Sequence, residues 1–219
     1  MKLVVFDVDG TLVDSQHHIH SAMALAFDGV GLAPLPLAQV MTIVGLSLPV
    51  AVARLAPDAE AEVQAGIVDG YKRAFHARRL QDDAPLYPGA LDCLDALSAR
   101  DDLMLAVATG KSRRGLDAMI AAHGLCGRFV SLQTADHHPS KPHPAMLQAA
   151  LDEAGVAAAD AVMVGDTSFD MDMAAAAGVA GYGVAWGYHP TAALQDAGAA
   201  LVAADFAALT GAITGWADG

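Results

Sequence analysis

Short apolar runs of four or five residues recur along the chain and alternate with longer stretches whose apolar positions repeat at helical spacing. The runs Leu3–Phe6, Met104–Ala108, Phe129–Gln133, Ala161–Val164 and Gly181–Val184 predict five buried strands. Between them Ala90–Ser98, Arg113–His123, Ala145–Ala154 and Met171–Ala177 predict helices. Short, continuously apolar strands that alternate with helices predict a parallel sheet covered on both faces.

One segment breaks the alternation. Between Ser15 and about Pro85 no strand pattern occurs; helical patterns over His17–Gly29, Leu37–Val44, Pro49–Leu55 and Ala59–Arg79 follow one another, punctuated by Gly31 and Pro34-Leu35-Pro36. This predicts a helical unit over 15–84 inserted into an α/β core made of 1–14 and 85–219.

The polar residues that carry chemistry stand where the strands end. The first run leads into Asp7-Val8-Asp9-Gly10-Thr11-Leu12. Two acids at the carboxyl end of a strand, where open α/β sheets bind their ligands, point to a cation site, a nucleophile, or both. Gly10 permits close backbone approach, and Thr11 offers a hydroxyl and an N–H to an anion. The second run ends in Thr109-Gly110-Lys111-Ser112, a hydroxyl and a loop N–H suited to a phosphoryl oxygen. Pro142 keeps Lys141 out of helical geometry and so places its ammonium on a loop. The fourth run ends in Gly165-Asp166-Thr167-Ser168-Phe169-Asp170, with two acids four residues apart at a helix start.

These four stations, in this order, resemble the motifs of the haloacid dehalogenase superfamily. The resemblance implies a Rossmann-like α/β core with a parallel sheet flanked by helices and an inserted all-helical cap subdomain of the C1 type. It assigns Asp7 as a nucleophile that forms an aspartyl-phosphate, Asp9 as general acid and base, and Thr109, Gly110 and Lys141 as the groups that hold phosphoryl oxygens. It implies Mg²⁺ as cofactor, held by the Asp7 carboxylate, the Asp9 backbone carbonyl and the Asp166 carboxylate, with Asp170 acting through water or as an orienting group. Relatives that cleave carbon–halogen bonds lack an acid at the position of Asp9, so its presence, with Asp166 and Asp170, argues for phosphorus chemistry. Mutase relatives carry a cap histidine where Ile19 stands here, flanked by His18 and His20. The Phe-Asp-x-Asp-Gly-Thr opening, the helix after Asp166 and Gly183–Tyr188 resemble the phosphoglycolate phosphatase branch, which also includes pyrophosphatases and nucleotidases. Val44-Gly45-Leu46-Ser47 is the expected specificity loop, with Gly45, Leu46 and Ser47 as substrate contacts and Arg54 or Lys72 as further candidates. A phospho-accepting signalling module shares the acids, the threonine and the lysine but lacks a long insertion after its first strand.

Composition narrows the partners. With 12 Lys+Arg against 25 Asp+Glu the net charge is −13, which argues against a nucleic-acid backbone or an anionic membrane surface. An anionic small phosphate ester would then need local positive charge and a metal ion. The N-terminal apolar run is interrupted at Asp7, unlike a signal peptide, and the Ala-rich 173–186 is too short to span a membrane. Cys93 and Cys126 lie among apolar helical residues and form no C-x-x-C, so both are expected to be buried free thiols. The expectation is a soluble, cytoplasmic monomer or homodimer. The His17, His18 and His20 cluster reads as a solvated helix start, and His137, His138 and His143 as loop residues.

Overall fold

A computed structural model describes residues 1–80 and 82–219. Six strands form one sheet: β1 (Lys2–Phe6), β2 (Leu103–Thr109), β3 (Ser131–Thr134), β4 (Ala161–Gly165), β5 (Ala180–Val184) and β6 (Leu201–Ala203). Their order is β3-β2-β1-β4-β5-β6, and every pairing is parallel. That is the doubly wound order in which the chain reverses direction across the sheet beside β1. The sixth strand was not expected, and neither were α9 (Thr191–Asp196) and α10 (Phe206–Asp218). The sheet therefore continues beyond β5.

The side-chain period of two divides each central strand between the two sheet faces. Val4 and Phe6 of β1, Leu105 and Val107 of β2, and Val162 and Val164 of β4 pack on one side. Helices α5 (Ala90–Ser98), α6 (Arg113–Ala122) and α10 cover that side through Leu94, Leu116 and Leu209. Leu3, Val5, Ala106, Ala108 and Met163 face the other way, beneath α7 (Ala145–Ala154) and α8 (Ser168–Ala177).

Residues 16–79 form four helices, α1 (Gln16–Asp28), α2 (Leu37–Met41), α3 (Leu48–Leu55) and α4 (Ala61–Arg79), around a third apolar core that includes Met23, Phe27, Val52 and Ile67. The helix expected to reach Val44 stops at Met41, and turns carry the chain on to Ser47. The two connections to this helical segment run side by side. Val13 bridges Leu86, Asp14 N–H donates to Pro85 O at 2.9 Å, and Tyr87 N–H donates to Leu12 O at 2.9 Å.

Three sequence expectations change here. Cys93 is buried on α5, whereas Cys126 is exposed in the turn after α6, and both are free thiols. His18 is buried with Nε2 3.0 Å from Asp82 O, and His20 Nε2 lies 3.0 Å from Leu35 O, so only His17 is the solvated residue expected there. These two histidines tie α1 to the loops around it. Among the described residues no helix is long and apolar enough to cross a membrane.

Ile67 is the only fully shielded residue of α4, whose other inward residues are half-buried. It anchors the longest helix of the segment to α1. Ile67→Ala should lower unfolding free energy by about 2–5 kcal/mol, measured by urea denaturation.

Candidate active site

Asp7 is the first residue beyond β1, and its N–H donates to Val164 O at 2.9 Å, so the strand geometry extends through it. Asp166 is the first residue beyond the neighbouring β4. The two acids therefore emerge side by side at the carboxyl edge. Thr167 caps α8: its hydroxyl and N–H both donate to Asp170 Oδ2, at 2.7 and 3.0 Å. This reciprocal cap fixes one oxygen of Asp170 and leaves Oδ1 for Lys141.

Lys141, from the loop between β3 and α7, reaches this cluster with a fully buried side chain. Its Nζ lies 2.6 Å from Asp170 Oδ1 and 2.9 Å from Asp7 Oδ1. The contact with Asp7 is one of charge, and neither Asp7 carboxylate oxygen accepts an aligned hydrogen bond. Asp166 is held from two sides, by Thr11 Oγ1 donating to Oδ1 at 3.0 Å and Tyr188 N–H donating to Oδ2 at 2.8 Å. Oxygens of Asp7, Asp166 and Asp170 all lie within 4.8 Å of one another.

Burial governs the electrostatics. Desolvation pushes the Asp7 carboxyl up to about 6, against the attraction of Lys141 and with the repulsion of Asp170. Asp166 is pushed well above the usual carboxylate range by burial and then by Asp170 and Asp7. Burial also disfavours the charged Lys141, but the carboxylates of Asp170 and Asp7 outweigh it and hold the ammonium above its ordinary range. With all three acids ionised, one ammonium leaves two negative charges unbalanced. Unpaired carboxylate oxygens and closely grouped hard ligands are a donor set that fits Mg²⁺.

Asp9 stands apart from this cluster. Its carboxylate receives both 2.7 and 2.8 Å contacts from Lys111 Nζ and a 2.7 Å hydrogen bond from Ser15 Oγ. Lys111 was visible beside Thr109-Gly110 in the sequence, but nothing local marked its partner, which lies 102 residues away. Ser15 N–H in turn donates to Tyr188 Oη at 3.0 Å.

A cavity of about 620 Å³ opens above these residues, lined on the core side by Asp7, Asp9, Thr109, Gly110 and Lys111. Gly45, Leu46 and Ser47 line the opposite side, and Ser47 N–H donates to Ser140 Oγ at 2.8 Å. A Cβ on Gly110 would stand 2.5 Å from Gly45 O and 2.7 Å from Leu46 O, so the helical segment rests directly on the second strand-end loop. Lys72 lines the cavity. Arg54 does not: its guanidinium stacks over Phe169 at 5.1 Å. Ile19, the position at which the resemblance to mutases would call for a cap histidine, lines the cavity.

The expectation that Gly10 and Thr11 contact the substrate is corrected. Their N–H groups donate to Val13 O and Val8 O, at 2.9 and 3.2 Å, and neither residue lines the cavity. Gly10, at φ +87°, leaves room for the Asp166 carboxylate where any Cβ would stand, and the Thr11 hydroxyl orients that carboxylate. Both thus support the acid cluster from behind. Trp186 and Tyr188 also lie behind the cluster rather than at its rim, with Trp186 Nε1 donating to Thr11 O at 3.0 Å. His137, His138 and His143 do not line the cavity.

The description "haloacid dehalogenase-like hydrolase" fits residues 4–184, and the chain belongs to that family. It is 36% identical over 214 residues to the probable phosphatase IndB of Dickeya dadantii, covering 96% of this chain and 92% of that protein. It is 37% identical over 226 residues to a phosphoglycolate phosphatase of Rhodospirillum rubrum, covering 95% of this chain and 89% of that one. Among solved structures, one from Haemophilus somnus described as a predicted phosphoglycolate phosphatase superposes with a TM-score of 0.85 at 25% identity, over 97% of this chain and 98% of that one.

Two outcomes follow from this geometry. An Asp whose folded pKa is raised costs nothing while both states are protonated, and its penalty grows as pH rises from the unfolded to the folded value. The metal-free Asp7→Asn protein should therefore melt above the wild type at pH 7.5. That gap should shrink as pH falls from 6 toward 4, as read by thermal scans across pH. Gly110→Ala forces the 45–46 loop off its seat. It should reduce kcat/KM about tenfold or more while leaving the melting temperature within a few degrees.

Proposed function

We propose that this phosphatase hydrolyses a small phosphate monoester, with Mg²⁺ and through an aspartyl-phosphate on Asp7, in the manner of the phosphoglycolate phosphatase branch. The observation that carries this reading is the Asp7 carboxylate, buried at the end of β1, beside Lys141 and open to the cavity without an accepted hydrogen bond. Asp7 stands as the nucleophile with Oδ1 2.9 Å from Lys141 Nζ and its carboxylate facing the cavity.

The residues divide the work as follows. An Asp7 oxygen attacks phosphorus, the bond to the ester oxygen breaks, and the electron pair leaves with that oxygen, which takes a proton from Asp9. Water then attacks the phosphorus of the aspartyl-phosphate, Asp9 receives its proton, and inorganic phosphate departs with Asp7 regenerated. Thr109, Gly110 and Lys141 hold the phosphoryl oxygens as charge builds on them. Asp9 begins in an ion pair with Lys111, so it must exchange that partner before it can carry a proton. An incoming phosphate dianion offers Lys111 an alternative anion. Magnesium held by Asp7, Asp166 and the Asp9 carbonyl, with Asp170 acting through water or as an orienting group, would offset the charge of the acids and of the phosphate. The helical segment 15–84 serves as the cap, seated on the core through Gly45 and Gly110 and hinged at the paired connections near Val13 and Leu86.

Phosphate release from a panel of small esters should require Mg²⁺ and stop with chelator. Asp7→Asn should lower kcat by about 10³-fold or more. Turnover retained in that variant would exclude Asp7 as nucleophile, and a phosphate on Asp7 lasting minutes would favour a signalling role.

A further inference from the structure

The cavity that receives the substrate has two unlike walls. The core wall is polar: Asp7, Asp9, Thr109 and Lys111. The facing wall, supplied by the helical segment, is largely apolar, with Ile19 and Met23 of α1, Leu46, and Tyr71 and Phe75 of α4 beside Lys72, His76 and Arg79 of the same helix. Tyr71 and Phe75 are four residues apart on one face of α4, with stacked rings 5.5 Å between centroids and 21° between planes. In sequence they read as an ordinary core stripe, yet both are half-buried and border the cavity.

Their position relative to the chemistry is defined. Lys111 Nζ, which grips both oxygens of Asp9, also lies 5.1 Å from the centre of the Phe75 ring. The aromatic pair thus sits one lysine side chain away from Asp9, the residue that protonates the leaving oxygen. It lines the same cavity as Asp7 and Asp9.

Size agrees with this placement. Cavities of about 300–1,000 Å³ accommodate ligands of many heavy atoms, and this one measures about 620 Å³. A two-carbon acid such as glycolate would leave the apolar wall in contact with water. The basic groups that line the cavity include exposed Lys72 and Arg114, with an Arg114 guanidinium nitrogen 3.2 Å from His76 Nε2.

We propose that the preferred substrate is a phosphate monoester whose alcohol carries a ring-sized, predominantly apolar body, stacked on Tyr71 and Phe75 while the phosphoryl group sits at Asp7. This rests on the phosphatase reading above and specifies its substrate class. Phosphoglycolate is then a poor substrate, although relatives are described as phosphoglycolate phosphatases.

The test compares ethyl phosphate, phosphoglycolate and 2-phenylethyl phosphate on the full chain with Mg²⁺. The two alkyl esters share their leaving-group chemistry and differ in the ring. The expected result is a kcat/KM for 2-phenylethyl phosphate about tenfold or more above both others. That ratio should fall toward unity in Tyr71→Ala and Phe75→Ala. Equal turnover of the two alkyl esters, or a preference for phosphoglycolate, overturns the proposal. Binding of the same two alkyl esters to Asp7→Asn, measured by calorimetry, reads the wall without turnover. Ring-dependent affinity with no hydrolysis by the wild type would uphold the wall and overturn the phosphatase reading, whereas ring-independent affinity overturns the wall.

Discussion

The structure is organised around one electrostatic constraint: three carboxylates and one ammonium are buried together where β1 and β4 end. Removing such groups from water is costly, and the attraction of Lys141 for Asp7 and Asp170 offsets only part of it. Everything around the cluster acts to hold that arrangement. The parallel pairing of β1 with β4 sets the separation of Asp7 and Asp166. Gly10 makes room for one carboxylate, Thr167 caps a helix with another, and the segment after β5 contributes Tyr188 N–H and, through Trp186, a grip on Thr11. A sequence selected for stability alone would place apolar side chains here. The retention of charge at the sheet edge is a functional expense that the large apolar cores on both sheet faces can sustain.

A second chain of contacts couples this edge to the helical segment. Asp9 is joined to Lys111, Lys111 to the Phe75 ring, and Phe75 to Tyr71 along α4. On its other side Asp9 is joined to Ser15 and thence to Tyr188, at the connection into α1. Displacement of α4 or of the Ser15 connection would therefore change the partners of the acid. The seating of Gly45 and Leu46 carbonyls on Gly110 adds a third contact at the same edge. Asp9 is thus held by one partner from the core, Lys111, and one from the connection into the helical segment, Ser15.

Much of this was legible in the chain because the informative features are local. A buried strand that runs into a polar loop announces itself within a few residues, and three of the four stations follow such a strand directly. The residues missed are those whose roles are set by distant partners. Lys111 carries no local sign that it pairs with Asp9, and Tyr71 and Phe75 are indistinguishable in sequence from helix residues that pack into a core. Gly10 and Thr11 read as ligand-facing because their types suit anions, but the turn directs their donors inward to Val13 O and Val8 O. The last strand and the last two helices were missed for another reason. Leu201–Ala203 is only three residues long, and α10 is interrupted by Gly211 and Gly215, so neither period stands out against the Ala-rich background. His18 and His20 look like solvent-facing polar residues, yet each reaches a carbonyl of a loop beside α1, which sequence spacing cannot anticipate.

The overall charge of −13 sets the terms for an anionic substrate. At physiological ionic strength exposed charges are screened beyond about 8 Å, so the distant acids matter less than the groups at the mouth. Those groups are Lys72, Arg79 and Arg114, drawn from both the helical segment and the core. They form a positive arc on an otherwise acidic molecule. Such an arc concentrates anions at the opening, while Lys141, already paired with two carboxylates, cannot by itself neutralise a dianion inside. Attraction at the entrance and charge deficit at the bottom therefore belong to different residues. The deficit is what a bound cation would offset, whereas the arc acts on an anion before it reaches the cluster.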